Sequence, residues 1–438
     1  ELAAIAEKAY GGPALVFENV KGFSIPVVSN LFSKGRLARL FDTRPEDLPE
    51  RLIQAVRGTI RNPMPPQVVA TGPCKEVVIR DGIDLNALLP IPWATSRDCG
   101  NYLGASLIIC KEPETGERIM FWARGTVRSP EKLHLGVVGT RRFVGFYRKA
   151  EALKLPFEVA LCLGVDPAWG VAAAAHGPFI ESIGGEYKFL LASTLAGRPA
   201  EMVACETLDL EVPANAEIVI EIESYPGLRE RDDSDNPTGI LGPLATGYYA
   251  PSAKTPVYRV KAVTHRRDPL YYAAFGRPDY PIVNVMQEAS VLNAARGVAH
   301  KQVQAVCHRH VMTAIQFKKE SSVDDGVPKN VLMAALGADR DCHFAVVVDE
   351  DIDVNDTWAV VYAIMTRARL DKGVIMVPQA RGHANIPVAR EQGGLVDKVG
   401  IDATIPFGMK GAFERVKYAD VDISKLLPGF AERPWFEH

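Results

Sequence analysis

The sequence predicts a mixed fold in which an α/β segment, residues 1–95, is followed by a β-barrel, residues 96–285, and an α/β domain, residues 286–438. Three observations support this prediction. The first part combines a helical pattern with a strand pattern, the middle is a succession of strand-like runs, and the last part alternates between helices and strands. Because 438 residues are too many for one ordinary core, two or three domains are expected.

The N-terminal segment contains one well-defined helical pattern. In Pro45–Gly58 the apolar residues recur at helical spacing, acidic residues come early, and an Arg and a Gly come late, as a helix prefers. The run Cys74–Arg80 then reads as a strand because it is rich in β-branched residues. Together these patterns indicate an α/β arrangement for residues 1–95.

The middle of the chain is dominated by apolar and β-branched runs. Two helices are predicted among them, near Tyr147–Leu153 and Glu186–Leu195. Successive strands with few helices favour an antiparallel barrel or sandwich. The predicted strands are Leu107–Lys111, Arg118–Val127, Glu158–Leu163, Met202–Leu210, Glu217–Glu223, Val257–Thr264 and Leu270–Phe275.

After Pro281 helical and strand patterns alternate, which predicts a parallel sheet with crossover helices. The helices are Val291–Val303, Lys329–Leu336 and Trp358–Ala368, and the strands are Val311–Phe317, Phe344–Val348 and Gly373–Val377. The acidic run from Asp349 to Asp353 resembles a cation-binding loop. It lacks the Gly and the distal Glu of an EF-hand, so a structural role is predicted for it.

Composition narrows the class of protein. Hydrophobic residues make up 47% of the chain and charged residues 24%, which is typical of a globular protein and not of a disordered one. The formal net charge of −3 provides neither a basic footprint for nucleic acid nor a polybasic face for a membrane. The seven cysteines are scattered without a C-x-x-C pair, so a reducing cytoplasm is expected.

Several strings of the sequence resemble the UbiD-like decarboxylase family, and they occur in order from about Gly100 to Thr404. Two of these strings are highly specific: LDLEVPANAEIVIE, which is Leu208–Glu221, and DKVGIDAT, which lies within Gly394–Thr404. The strings are Phe146–Leu153 with Leu163–Ala168, Gly185–Phe189, Leu208–Glu221, Gly247–Pro251, Val346–Asp356 and Gly394–Thr404.

The resemblance implies a fold, a reaction and a cofactor. The central barrel would be a flavin-reductase-like split β-barrel, and the chain would form a homodimer or homohexamer. The chemistry would be non-oxidative decarboxylation, in one or both directions, of an aromatic or α,β-unsaturated carboxylic acid. Prenylated FMN would serve as the electron sink, a role that side chains cannot fill. A divalent metal such as Mn²⁺, together with K⁺, would help to anchor its phosphate.

The resemblance also implies roles for particular residues. Arg124 stands where the family has its catalytic, carboxylate-binding Arg, and a guanidinium suits that role because it binds carboxylates in bidentate fashion. Its strand neighbours Trp122 and Ala123 are expected, with Arg124, beside the cofactor. Three basic residues are expected near the flavin phosphate, and Glu186 is the expected metal ligand. The basic residues are Arg141, Arg142 and Lys398.

The sequence also departs from the family pattern. Ile119 occupies the position of a metal-binding Asn, and Gly136 lies near that of a second ligand. Both acidic residues of the family's proton-donor motif are missing from Ile240–Pro251, where Leu241 stands at the first position. The preceding polar segment Arg229–Gly239 is an alternative source of a carboxylate, although a run of this composition is usually a solvated loop.

These departures leave three hypotheses. The first is a flavin-dependent decarboxylase or reversible carboxylase with a remodelled site. The second is a cofactor-independent lyase or decarboxylase that acts on a substrate carrying its own electron sink, which would need only a carboxylate-binding Arg and a proton donor. The third is a non-catalytic subunit of a carboxylase complex, which would keep the fold while losing the acids.

Overall fold

The computed structural model describes residues 1–136, 142–231, 248–249, 254–275, 280–383, 386–414 and 416. The chain divides into two compact units. The first comprises Glu1–Ser290 with Arg381–Val396, and the second comprises Val291–Ala380 with the chain from Asp397. The three-domain division at 95/96 and 285/286 therefore stays a prediction, while the predicted mixed fold with a central barrel is confirmed.

The N-terminal part of the first unit alternates short helices and strands. The predicted helix at Pro45–Gly58 is present but begins three residues later, with Pro49 in its first turn. The predicted strand at Cys74–Arg80 is shorter, because Pro73–Lys75 forms a 3₁₀ turn. The elements are α1 Leu2–Lys8, β1 Leu15–Phe17, β2 Val27–Ser29, α2 Lys34–Leu40, α3 Leu48–Arg61, β3 Gln67–Val69, β4 Val77–Ile79 and α4 Leu85–Leu88.

The centre of the first unit contains long antiparallel strands. Its elements are β5 Asn101–Lys111, β6 Arg118–Ser129, β7 Lys132–Gly136, α5 Arg142–Ala152, β8 Glu158–Leu163, α6 Pro167–Ala174, α7 Pro178–Glu181, α8 Tyr187–Ala196, β9 Glu201–Ala204, β10 Glu211–Pro213, β11 Ile218–Arg231, β12 Lys254–His265 and β13 Tyr271–Tyr272. Strands pair in the order β11-β8-β5-β6-β7-β12, and β11 pairs with β12, so these six strands close into a barrel. The predicted antiparallel barrel is thereby confirmed.

Helix α6 was not predicted, and its burial explains why. Every residue from Ala168 to Ala174 is buried, so the helix has no polar face and no 3.6-residue period for a pattern to detect. Its start is nevertheless encoded locally. The Asp166 side chain accepts a hydrogen bond from the backbone N–H of Ala168 at 2.8 Å, and Pro167 occupies the first helical position.

The second unit is an α/β domain built on a five-stranded sheet in the order β14-β15-β16-β18-β17. Strands β15, β16 and β18 are parallel, whereas β14 and β15 form an antiparallel pair. The predicted parallel sheet with helical crossovers is thus confirmed for the centre of this unit. The remaining elements of the chain are α9 Pro281–Val298, β14 Val303–Arg309, β15 Met312–Phe317, α10 Val327–Ala338, β16 Phe344–Asp349, α11 Thr357–Arg367, β17 Val374–Arg381, α12 Pro387–Glu391 and β18 Leu395–Ala403.

Among the described residues, none of the helices combines the length and the hydropathy that a bilayer crossing requires.

Candidate active site

Strand β6 carries the predicted catalytic residue and has two distinct faces. Phe121 and Ala123 belong to the hydrophobic core of the first unit, as strand alternation requires for residues two apart. Trp122 and Arg124 therefore share the opposite face of the strand, and both are partly exposed. Of the residues expected beside the cofactor, Ala123 has its side chain committed to the core, so only its backbone remains for a ligand.

Trp122 is held firmly against helix α6. Its Nε1 donates a hydrogen bond to the carbonyl oxygen of Gly170 at 2.8 Å, and its ring meets that of Tyr272 edge to face, with centroids 6.5 Å apart. Gly170 permits this close approach, because a Cβ atom there would lie 2.8 Å from Ile282 Cδ1 and 3.3 Å from Trp122 Cζ2. The indole thus forms a fixed aromatic wall two residues from Arg124.

Arg124 lies beside Tyr102, a residue that the sequence patterns did not single out. The Tyr102 hydroxyl is buried next to the guanidinium, without a well-aligned hydrogen bond to it. Burial raises the pKa of Tyr102 to about 12, and the neighbouring Arg124 guanidinium opposes this rise. The signal that could have revealed the pair is the β5–β6 hairpin register, which sets Tyr102 opposite Thr126 and so diagonally from Arg124.

Asp98 is an acidic residue close to Tyr102, and the sequence patterns did not single it out either. It is only 8% exposed, and its Oδ2 accepts hydrogen bonds from the backbone N–H groups of Ala94 at 3.0 Å and Thr95 at 2.7 Å. These bonds hold the segment that leads into β5. Asp98 therefore positions the chain beside Tyr102 and Arg124.

Glu186, the predicted metal ligand, is bound by Arg118. Its Oε1 accepts from the Arg118 backbone N–H at 3.0 Å and from Nε at 2.9 Å, and its Oε2 accepts from Nη2 at 2.7 Å. Arg118 Nη1 also donates to Glu211 at 3.1 Å. Burial raises the pKa of Glu186, but the hydrogen bonds and charge of Arg118 outweigh burial, so the net pKa is lowered. We call Glu186, Arg118 and Glu211 the Glu186 cluster.

The other expected metal ligands cannot complete a cation site. Ile119 pairs with Cys110 across the barrel hairpin and packs against the core, so its side chain is both apolar and turned away from Arg118. Gly136, at the end of β7, has no side chain to offer. Hard divalent cations take several oxygen ligands. Since the one expected carboxylate already binds a guanidinium, this donor set does not fit a divalent metal.

Of the three basic residues expected at the flavin phosphate, Arg142 and Lys398 have partners within the protein. Arg142, at the start of α5, forms an ion pair with Glu117 and lies 5.4 Å from the centroid of the Phe146 ring. Its pKa is raised, chiefly by the hydrogen bond to Glu117. Arg141 lies outside the described residues, as do most of the polar segment 229–239 and residues 240–247 of the expected proton-donor motif.

Lys398 caps a helix within the second unit. It is 4% exposed, and its Nζ donates to the carbonyl oxygens of Leu336 at 2.7 Å and Asp339 at 2.8 Å, at the C-terminal end of α10. A cation at this end of a helix satisfies otherwise unpaired carbonyls. Burial lowers the pKa of Lys398. The contact with a cofactor phosphate expected for Lys398 stays a prediction.

Comparison with known families identifies the class of protein. Residues 1–56 match the 3-octaprenyl-4-hydroxybenzoate carboxy-lyase N-terminal domain, residues 67–278 match the Rift-related domain of that enzyme, and residues 282–403 match its C-terminal domain. All three domains of that carboxy-lyase are therefore represented in this chain. The chain belongs to the UbiD family, which confirms the resemblance drawn from the sequence, and it is a UbiD-class decarboxylase.

The chain is similar to characterised enzymes over nearly its whole length. The anhydromevalonate phosphate decarboxylase of Methanothermobacter thermautotrophicus is 30% identical, with 93% of this chain and 92% of that protein covered. The gallate decarboxylase of Lactiplantibacillus plantarum is 26% identical, with coverages of 95% and 89%. The structure of the UbiD-class enzyme HmfF from Pelotomaculum thermopropionicum in complex with FMN has a TM-score of 0.85 and 33% identity, covering 98% of this chain and 94% of HmfF.

Proposed function

We propose that this chain catalyses the non-oxidative decarboxylation, in one or both directions, of an aromatic or α,β-unsaturated carboxylic acid, with prenylated FMN as cofactor. The observation that carries the proposal is the position of Arg124 beside the Tyr102 hydroxyl, with the fixed indole of Trp122 on the same strand face. Its similarity to HmfF, of which structures with FMN and with prFMN are known, supports the choice of cofactor.

The residues on this face suit an anionic, aromatic ligand. Arg124 would bind and orient the substrate carboxylate, because its planar guanidinium matches two carboxylate oxygens. Trp122 offers an apolar ring that excludes water on one side. When bound, prenylated FMN supplies the electron sink for the bond that breaks. Trp122 and Arg124 are among the described residues that we propose to hold it.

A proton must replace the departing CO2, and we propose that Tyr102 supplies it. The bond between the substrate carbon and its carboxylate carbon breaks, and CO2 leaves. The electron pair of that bond stays with the substrate, and the same carbon then takes the Tyr102 O–H proton in a new C–H bond. Solvent then reprotonates the phenolate. Tyr102 is protonated at neutral pH, since burial raises its pKa to about 12, and the adjacent Arg124 guanidinium, which opposes this rise, would stabilise the phenolate left when the proton is donated.

The test is reconstitution of the purified chain with prenylated FMN, followed by assay against a panel of aromatic and α,β-unsaturated acids in deuterated water. We expect CO2 release and deuterium at the carbon that lost it. Tyr102→Phe should lower kcat by about 10²-fold or more while leaving flavin binding intact. Tyr258→Phe is the matched control, because Tyr258 is a buried tyrosine of the barrel core. Equal activity in the two variants would remove Tyr102 from the mechanism.

A cofactor-independent lyase is the second candidate, and one observation favours it. Glu186 is bound by Arg118, so the expected metal anchor for a flavin phosphate does not fit. A substrate with its own electron sink would then need Arg124 and Tyr102 alone. Activity without any flavin, at the rate of the reconstituted protein, would decide for this candidate. Flavin binding without turnover of any acid would instead favour the non-catalytic subunit.

We further propose that the chain assembles as a homodimer or homohexamer. An evolved dimeric form of HmfF is similar to this chain, at 31% identity and a TM-score of 0.82. Helix α11 exposes an apolar stripe at helical spacing, comprising Trp358, Tyr362 and Met365, which are 42%, 47% and 60% exposed. A second copy of the chain is the occupant that we propose for this stripe, and the mass of the purified protein in solution tests it.

A reducing compartment also remains our proposal. None of the seven cysteines, all of which lie among the described residues, forms a disulfide. Burial raises the pKa of Cys74 to about 11, so this thiol stays protonated at neutral pH and is a poor nucleophile.

A further inference from the structure

The Glu186 cluster joins three elements that are distant in sequence. Arg118 begins β6, Glu186 precedes α8 at its N-cap position, and Glu211 begins β10. Alternation along β6 explains why Arg118 reaches this site while Ile119 does not. Adjacent strand residues point to opposite faces, so the arginine turns towards α8 as the isoleucine packs against the core.

The guanidinium satisfies Glu186 more completely than a single ion pair would. A carboxylate has about four lone-pair sites, and Arg118 donates to Glu186 through its backbone N–H, Nε and Nη2. The remaining arm, Nη1, donates to Glu211. The face of the guanidinium lies 4.8 Å from the centroid of the Phe189 ring, which adds a cation–π contact. A metal would have to displace a bidentate partner that is attached to the chain.

Charge opposes a divalent ion at the same place. Arg118 lies between the two carboxylates, and its positive charge would repel a cation approaching either of them. The side chains of Arg118, Glu186 and Glu211 are 21%, 30% and 33% exposed, so solvent does not fully screen this repulsion. The backbone of Glu186 is left-handed, with a φ of 54°, a costly conformation for a non-glycine residue that the three bonds from Arg118 help to hold.

We propose that Arg118 is a built-in replacement for a metal ion: its guanidinium takes the place on Glu186 that the family resemblance assigns to a divalent cation, and the site works without one. This inference rests on the proposed function only for the expectation that Glu186 belongs to the cofactor region. Its test needs neither flavin nor substrate, so a chain that fails as a decarboxylase still tests it.

The experiment is a titration of the purified full chain with Mn²⁺, followed by electron paramagnetic resonance, with thermal unfolding measured in parallel. We expect the wild-type protein to bind no stoichiometric Mn²⁺ and to keep its Tm after dialysis against a chelator. Arg118→Ala should create a site, because it leaves two carboxylates without their shared cation. Mn²⁺ should then raise the Tm of that variant by a few degrees, and the double variant Arg118→Ala, Glu186→Gln should lose both effects.

The matched control is Arg229→Ala. Arg229 also binds a glutamate, Glu151, in bidentate fashion, through Nη1 at 2.7 Å and Nη2 at 2.6 Å, but no second acidic partner shares it among the described residues. This variant also frees a carboxylate, yet it should gain no Mn²⁺ site. Equal Mn²⁺ binding in the two variants would show that a freed carboxylate suffices and would overturn the role of the cluster.

One Mn²⁺ bound per wild-type chain and lost in Glu186→Gln would overturn the proposal directly. That measurement does not depend on whether Arg118→Ala folds. Should that variant fail to fold, Arg118→Gln provides the second test, because it removes the charge and keeps a polar side chain of similar reach. A folded Arg118→Gln protein that binds no more Mn²⁺ than wild type would also count against the proposal.

Discussion

Two acidic sites that the sequence marks as candidates for cation binding, Glu186 and the run from Asp349, each bind an arginine in the structure. In the first unit, Arg118 bridges Glu186 and Glu211. In the second, Arg367 donates to Asp349 at 2.9 Å and to Asp351 at 2.7 and 2.6 Å. We call the latter three residues the Asp349 cluster.

The clusters differ mainly in burial. The side chains of Arg367 and Asp349 are each 4% exposed, whereas that of Arg118 is 21% exposed. Asp349 also accepts a hydrogen bond from the backbone N–H of Ile405 at 2.9 Å, which ties the end of β16 to the chain after β18. An arginine bound to two carboxylates can therefore brace the fold where it is buried, and can take the place of a metal ion where it lies near the surface.

Removal of Arg367 should have the largest effect. Arg367→Ala leaves the buried Asp349 without its ion-pair partner, and breaking a buried pair in this way costs about 3–5 kcal/mol of stability. Denaturant unfolding measures the loss. Arg369→Ala is the control, because Arg369 pairs with Asp371 at the surface, where such pairs contribute about 0–1 kcal/mol. Similar losses in the two variants would show that the Asp349 cluster is not a brace.

Arg118 and Arg367 bind carboxylates of the protein itself. Arg124 differs from them, because we predict that it binds a substrate carboxylate in addition to its contacts within the protein. Arg124→Ala should lower kcat/KM by about 10²-fold or more, equivalent to about 2.7 kcal/mol, with the free energy of unfolding little changed. Arg124→Lys should rescue poorly, because an ammonium lacks the planar pair of donors. Steady-state kinetics with a reconstituted chain decides, and full activity in the alanine variant would remove Arg124 from the site.

Loss of Arg118 should cost less stability than loss of Arg367. The Glu186 cluster is partly solvated, so water can replace some of the lost hydrogen bonds, and Arg118→Ala should cost about 1–2 kcal/mol. Denaturant unfolding in metal-free buffer measures this value. A loss as large as that of Arg367→Ala would mean that burial does not separate the two clusters, which would contradict the comparison.

The smallest effect should be a difference in pH dependence. The pKa of Glu186 is lowered in the folded protein, so its contribution to stability is present at neutral pH and is lost as the pH falls through its folded pKa. The pKa of Asp349 is raised, chiefly by burial, which outweighs the bonds from Ile405 and Arg367. Its ionisation therefore costs stability above that pKa, and this cost disappears as the pH falls.

Glu186→Gln and Asp349→Asn measure this difference. On acidification below about pH 5, the stability advantage of the wild type over Glu186→Gln should shrink, while the wild type should gain stability relative to Asp349→Asn. Unfolding free energies across that range provide the test. Slopes of the same sign for the two variants would refute the opposite pKa directions.

Some features of the site follow from local sequence alone. Once Phe121 and Ala123 are known to lie in the core, strand alternation along β6 places Trp122 and Arg124 on the other face, so Ala123 does not share the face expected to meet the cofactor. The structural role predicted for the acidic run after β16 is supported by the bonds of Arg367 to Asp349 and Asp351. Helix α6 escaped prediction because a helix buried on every side has no amphipathic period.

By itself, the sequence determined the barrel, the parallel centre of the second unit's sheet and the family, because periodicity and family-specific strings are local properties that need no knowledge of neighbours in space. Only the tertiary structure decided which cation Glu186 binds. Arg118 is 68 residues away, and the two meet because β6 and the start of α8 are brought together in the folded first unit. The placement of Tyr102 beside Arg124 depends in the same way on hairpin register, since a shift of one residue would turn the tyrosine to the other face.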